Sequence, residues 1–488
     1  MFGGSRSHSL RVDWWRPKRQ ERLIGDSRMG RWIATIGVIA LFACDGTDGV
    51  KVSLFDTGTS VDGDALDSPP EVPVDGDDTG DSDEPVEKVT WHKDIRPLMG
   101  KHCTRCHYDA GLGVGDFEDP IVVSAMAEIM LSRIDSGVMP PPVSDPECRE
   151  YKGADHLRMP PESRDVLASW IEDGKVLGDP EEAPDFEPIS ETLADADMVL
   201  RIPEPYVPLF ADESNPGNEY RCFMIDMVLE EAIYITAMAP LVDQKSMVHH
   251  IVLFTKNVAD IPAHEQGPEG YDCIDGGMAD GVNGMIAGWA PGALPVEFPS
   301  GYGMRLGTDD RLIAQMHYFQ SGPEMVGVAD QTGYAFRTAD SVERSVLMFP
   351  VGNFSFEIPA GEAAYKDTFE FELPPYLNFE ILGTFPHMHL LGSGYRMWLN
   401  PKPPDDDEED EAAEDVCLVE SDQYDFDNQI TYFFEDPVPV SGGDTLGFEC
   451  TWDNSVDNPN QMYDVPRDIG YGERTDEEMC FAFTLIGL

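Results

Sequence analysis

From about residue 198 to its end the chain runs in short alternating apolar segments cut by Gly, Pro and Asp. Side chains two apart on a strand share a face, and the interruptions supply turn conformations, so the pattern predicts all-β structure. The 45 Gly and 39 Pro, spread without a period, agree with this. A 41% hydrophobic fraction is ample for packed cores and excludes a wholly disordered chain. With 33 basic against 92 acidic residues the net charge is −59. Such a field repels phosphate, and no basic stripe offsets it, so nucleic acid is excluded as a partner.

The N-terminal third reads differently. Arg6, Arg11, Arg16, Lys18, Arg19, Arg22, Arg28 and Arg31 precede an apolar run from Trp32 to Ala43, which ends at Cys44. This is a signal-peptide layout, too short for a membrane span, with Met29 as an alternative start. Leu41-Phe42-Ala43-Cys44 resembles the bacterial lipobox, which implies a lipid-anchored protein of the periplasm or cell surface. An ordinary secretory signal would also carry the chain out of the cytoplasm. Residues 44–87 are acidic, with Lys51 as their one basic residue, and predict a disordered tether. The acidic run Asp405 to Glu411 reads as a loop within the folded part.

Nine cysteines are present. Cys103-Thr104-Arg105-Cys106-His107 is the C-x-x-C-H pattern for covalent c-type haem, in which two thiols take the porphyrin vinyls and the adjacent His binds iron. A zinc or redox cysteine pair is the competing reading. Met139, in Gly137-Val138-Met139-Pro140-Pro141, is the candidate distal ligand, and Met159 is its competitor. A thioether opposite His raises the potential and suits electron transfer. Met159 opens an amphipathic stretch with Val166, Leu167 and Trp170 on one face and Gly174 as its stop. Residues 88–178 thus resemble a class I type cytochrome c domain, followed by a linker over 179–197. With one cysteine assigned to lipid and two to haem, six remain for up to three disulfides.

Five of the eleven histidines fall in three strand-like runs. His387 and His389, two apart, can chelate one ion from a regular strand. His249 and His250 are adjacent, so joint ligation needs a bulge, a strand end or different ring nitrogens. His317 follows Gln315 by two and faces the same way. Imidazole-rich sets suit zinc, copper, iron or nickel.

Val248-His249-His250, Gln315-x-His317-Tyr318, His387-x-His389 followed by Leu391-Gly392 and Ser393-Gly394-Tyr395-Arg396, then Asp476 to Cys480, come in one order over residues 199–488. This arrangement resembles the copper type II, ascorbate-dependent monooxygenase family, which includes peptidylglycine alpha-hydroxylating and dopamine beta-monooxygenases. The resemblance implies two jelly-roll-like all-β sandwich domains, 198–350 and 351–488. His249, His250 and His317 would hold an electron-delivering copper. His387, His389 and Met479 would hold the copper that binds O2 and hydroxylates substrate, with Gln315 near that substrate. A Cys450–Cys480 disulfide is also implied.

Departures bear on the substrate. Phe385 stands where peptidylglycine enzymes carry a carboxylate-binding arginine, and Phe481 and Phe483 replace their Asn and Tyr. On a regular strand Met479, Phe481, Phe483 and Leu485 share one face, which predicts an apolar wall and an apolar or aromatic substrate. The expected chain is therefore multidomain, with a small all-α cytochrome c domain followed by two all-β sandwiches. Its cofactors are two coppers and one haem c. Its partners are O2, a small-molecule substrate, an external donor (ascorbate or a redox protein) and a membrane. A non-catalytic copper-binding or electron-transfer surface protein is the alternative.

Overall fold

A computed structural model describes residues 88–488 apart from 110, 112, 186–190, 212–216, 226, 274–281, 321, 403–413 and 473. The expected signal segment, Cys44, the tether and the Asp405–Glu411 run lie outside the described residues.

A small helical group comes first: Arg96–His102, Pro120–Asp135, Ala154–Leu157 and Pro161–Glu172, with a π-helical turn at Trp91–Ile95. Asp119 caps the longest helix, accepting from the Ile121 N–H, and Pro120 at the first position gives up a donor that has no helical partner there. Val123, Ala127 and Met130 of that helix are buried. They meet Leu167 and Trp170 of the last helix, and Trp170 packs on Trp91 with ring centroids 6.1 Å apart. Gly174, at φ +87°, takes the left-handed conformation that ends this helix, as its place in the sequence predicts.

The rest is β structure in two sandwiches. A five-stranded sheet (Tyr271–Asp272, Asn218–Ile225, Asp310–Phe319, Val248–Asn257, Val282–Trp289, in spatial order) packs over one core. A four-stranded sheet (Tyr365–Glu372, Thr445–Trp452, Gly392–Asn400, Val416–Ser421) packs over another. Both lie against one nine-stranded sheet, so the sandwiches share a layer. The division expected between residues 350 and 351 falls inside the strand Arg344–Gly352. That strand pairs with Tyr302–Leu306 on one edge and with the terminal strand Phe481–Gly487 on the other. Two unpaired sheet edges would otherwise meet here; continuous pairing satisfies their backbone groups.

Six cysteines form the disulfides Cys148–Cys417, Cys222–Cys273 and Cys450–Cys480. The first ties the segment between the helices to the second sandwich. Cys103 and Cys106 remain free thiols.

Candidate metal centres

The first histidine group is built on neighbouring strands of the five-stranded sheet. His250 on Val248–Asn257 sits opposite His317 on Asp310–Phe319. The register shifts between Val248 and His250, so His249 is the extra, bulged residue. The bulge turns a side chain that regular pleating would send to the other face back toward its neighbour. Three Nδ1 atoms converge as a result: His250 lies 3.3 Å from His249 and 3.1 Å from His317. One ligand atom from each of the three falls within 4.8 Å of the others. The outer nitrogens are held from behind. His317 Nε2 meets Asn218 Oδ1 at 2.7 Å, and His249 Nε2 meets Asp427 Oδ1 at 3.0 Å. Tyr220 stacks on His317 with centroids 4.2 Å apart. Burial, then repulsion by neighbouring imidazoles, pushes His250 and His317 well below the usual histidine range. Both rings are therefore neutral at pH 7, the form that binds metal.

The second group joins distant parts of the chain. His387 ends the strand Phe379–His387, and His389 follows in the turn, with ring centroids 5.2 Å apart. His387 Nδ1 meets Gln429 Oε1 at 2.6 Å, and His389 Nδ1 meets the Glu477 carbonyl at 3.0 Å. Each contact fixes a ring so that Nε2 is the nitrogen suited to a metal. Burial pushes His387 down to about 4 and His389 to about 3. Met479 is buried among Phe385, Phe481 and Phe483. Glu478 sets its position. Its buried carboxylate accepts from the N–H groups of His389 at 2.9 Å, Leu391 at 2.7 Å and Met479 at 3.2 Å, and from Trp452 Nε1 at 3.0 Å. Burial raises this carboxyl to about 7 despite those bonds.

His249 and His250 of the first group and His387, His389 and Met479 of the second line one cleft of about 90 Å³, together with Gln315, Phe385, Phe426 and Phe483. Gln315 Nε2 lies 3.4 Å from the Cys273 carbonyl oxygen. The expected wall is only partly present. Met479 and Phe483 reach the cleft, whereas Phe481 packs behind it on Phe354 and Leu485 enters the core of the first sandwich. A strand that passes from one sandwich to the next changes what its single face meets. Phe385 and Phe426 supply apolar surface in their stead.

Sequence reasoning missed the loop after strand Val416–Ser421. Phe426 lies 6.5 Å or less, centroid to centroid, from His249, His250 and His389, while Asp427 and Gln429 orient one histidine of each group. Asp, Asn and Gln in a loop carry no signal of such a role.

In the helical group, His107 Nδ1 meets the Val114 carbonyl at 3.0 Å, and its ring stacks on Phe117 at 4.2 Å. Burial raises both thiols, Cys103 to about 12. Two unpaired thiols beside an imidazole tied through Nδ1 fit covalent haem attachment. Met139 is 38% exposed, and Met159 packs against the helical core.

Residues 211–322 match the family model of the copper type II ascorbate-dependent monooxygenase N-terminal domain. This stretch contains His249, His250, Gln315 and His317. The chain is 24% identical over 285 residues to a human protein named putative DBH-like monooxygenase protein 2, covering 54% of this chain and 52% of that one. It is 24% identical over 283 residues to the mouse DBH-like monooxygenase protein 2, covering 54% and 42%. It thus spans about half the length of the curated relatives it matches. Among solved structures, BuGH86 in complex with neoagarooctaose aligns at 9% identity over 55% of this chain and 33% of that one, TM-score 0.15. The mosquito-larvicidal Cry4Aa toxin from Bacillus thuringiensis aligns at 8% over 76% and 70%, TM-score 0.12. These two likenesses are too slight to bear on fold or function. The sequence similarities support the copper type II monooxygenase family and a copper-dependent, monooxygenase-like domain.

Proposed function

We propose that the chain is a copper-dependent monooxygenase that hydroxylates an apolar substrate, with electrons relayed by a fused c-type haem. The observation that carries this reading is the placement of an all-imidazole group and a His/His/Met group on one apolar cleft. His249, His250 and His317 are suited to one copper, and His387, His389 and Met479 to the other, the thioether favouring the cuprous state. Copper so held supplies one-electron chemistry and the activation of dioxygen. The net reaction is R–H + O2 + 2 electrons + 2 protons giving R–OH + H2O.

The protein's own part is positioning and exclusion. Asn218, Asp427, Gln429 and the Glu477 carbonyl fix the rings, and Phe385, Phe426 and Phe483 keep water from the cleft and favour an apolar ligand. Gln315 offers a polar contact at its wall. Cys103 and Cys106 would carry the haem and His107 and Met139 would bind its iron, supplying one-electron transfer as an alternative to direct loading by ascorbate. Export and a lipid at Cys44 complete the proposal and place the protein at a membrane outside the cytoplasm.

The chain matured with haem and loaded with copper should contain two coppers and one haem by elemental analysis and pyridine haemochrome. It should consume O2 with formation of an equal amount of hydroxylated product from an apolar substrate. One haem without copper overturns the reading. Phe426 between the two groups, in a cleft this small, favours a second reading, a copper protein that only transfers electrons. That reading predicts full metal content and no product.

A further inference from the structure

The loop that bears Cys103, Cys106 and His107 touches the first sandwich at two places. Arg105 Nη1 donates to the Gly292 carbonyl at 3.1 Å. Cys106 Sγ lies 3.2 Å from where a Cβ on Gly292 would stand, a tight approach, and the backbone there has φ +82°, a conformation that favours glycine. Lys245 Nζ sits 4.9 Å over the ring of Tyr108, the residue after His107, and is paired with Glu191 at 2.7 Å. A cavity of about 150 Å³ remains between the two surfaces, lined by Arg105, Cys106, Tyr108, Lys245, Trp289 and Gly292 among others.

Both contacts lead to the same histidine group. Lys245 stands four residues before His249, across a turn closed by hydrogen bonds from Met247 and Val248 to the Gln244 carbonyl. Gly292 stands three residues after Trp289, which pairs with Ile251, the neighbour of His250. Trp289 also lines both this cavity and the cleft. Contacts with the second sandwich come from another segment, through Cys148–Cys417 and the bonds of Ser144, Asp145 and Lys152. The competing path runs from Pro142 through Asn428, which bonds its carbonyl at 3.2 Å, to Gln429 and His387.

We propose that Arg105, Tyr108 and Lys245 form an electron-entry contact that directs electrons from the C-x-x-C-H loop to the His249/His250/His317 group rather than to the His387/His389/Met479 group. The inference rests on the proposed haem and copper loading. One electron leaves ferrous haem, which becomes ferric, and one cupric ion becomes cuprous; no bond is made or broken. An external reductant such as ascorbate restores the haem.

The test is anaerobic and needs no substrate. Haem in the cupric, full-length protein is reduced in a flash, and its reoxidation is followed by absorbance, with the cupric signals followed by paramagnetic resonance. His387→Ala/His389→Ala should keep the fast phase, and His317→Ala should lose it. Arg105→Gln/Lys245→Ala should slow it roughly tenfold, the factor by which one lost hydrogen bond and one cation–π contact change a docked population. Tyr108→Leu provides a second variant should that one fold poorly. Haem and copper content is measured on each protein. If either is absent from the parent chain, the proposed function fails and the entry contact with it. If both are bound and the fast phase survives His317→Ala, or ignores the contact variants, the function stands and the entry contact is overturned.

Discussion

The two histidine groups share a cleft but are built on opposite plans. The first lies within one sheet, where a cross-strand pair and a bulge gather three imidazoles, and its support from the second sandwich is a carboxylate on the rim, Asp427, 75% exposed. The second is assembled from segments about ninety residues apart in sequence, and its clamp, Glu478, is fully buried. A sheet supplies most of the first group's geometry, with Asp427 orienting one ring from the rim, whereas the second needs an internal polar anchor. Its softer donor, Met479, is held where water is excluded.

Emptying one group at a time should have the largest effect. His317→Ala and His387→Ala should each lower copper from about two ions per chain to about one, since loss of one of three donors leaves no closed set. Met479→Leu should remove the sulfur signal from X-ray absorption and leave the first group's spectrum unchanged. Loss of both coppers on emptying one group would show a single coupled centre.

Stability should separate the anchors next. Glu478→Ala strands the N–H groups of His389 and Leu391 and the Trp452 indole, and should cost about 3–5 kcal/mol in urea unfolding. Asp427→Ala, at the rim, should cost less than about 1 kcal/mol. Equal costs would mean that the buried and the rim carboxylate anchor their groups alike.

A finer comparison concerns affinity. Asp427→Asn should weaken copper at the first group by about 10–100-fold and spare the second, and Gln429→Leu should do the reverse. Competition with a chelator, read separately for each spectral signal, measures both.

The smallest effect is in pH. Protons and metal compete for the same nitrogen lone pair, so a lowered histidine value delays release on acidification. With His387 at about 4 and His389 at about 3, the second group should hold copper unchanged down to about pH 5 and release it as pH falls through 4 to 3. Equilibrium dialysis at stepped pH checks this; release near 6.5 would mean exposed rings. Burial also pushes His102 in the helical group down to about 4 from 6.5. Between those values the folded state binds fewer protons than the unfolded, so the metal-free chain loses stability as pH falls across that window.

Much of the site was legible because its signals are local. The two-residue spacing of Gln315 and His317 follows from strand pleating, whereas His389 lies just past the strand that ends at His387, and the turn held by Glu478 rather than the pleat brings the two rings together. Adjacent His249 and His250 posed a conflict whose solution, a bulge, was among those the sequence allowed. Leu485 was misplaced because alternation gives a face but not what that face meets. The wall therefore ends at Phe483, and the residues beyond it belong to another core.

Period, spacing and parity along the chain set the β character of residues beyond 198, the histidine runs, the C-x-x-C-H loop and an even remainder of cysteines. Long-range packing makes both sandwiches share a sheet, carries Asp427 and Gln429 back to His249 and His387, sets Glu478 as the clamp of the His389 turn, and rests the cysteine loop on Gly292 and Lys245. Those partners are distant in sequence or carry ordinary polar side chains, and packing of whole layers, rather than any local preference, brings them together.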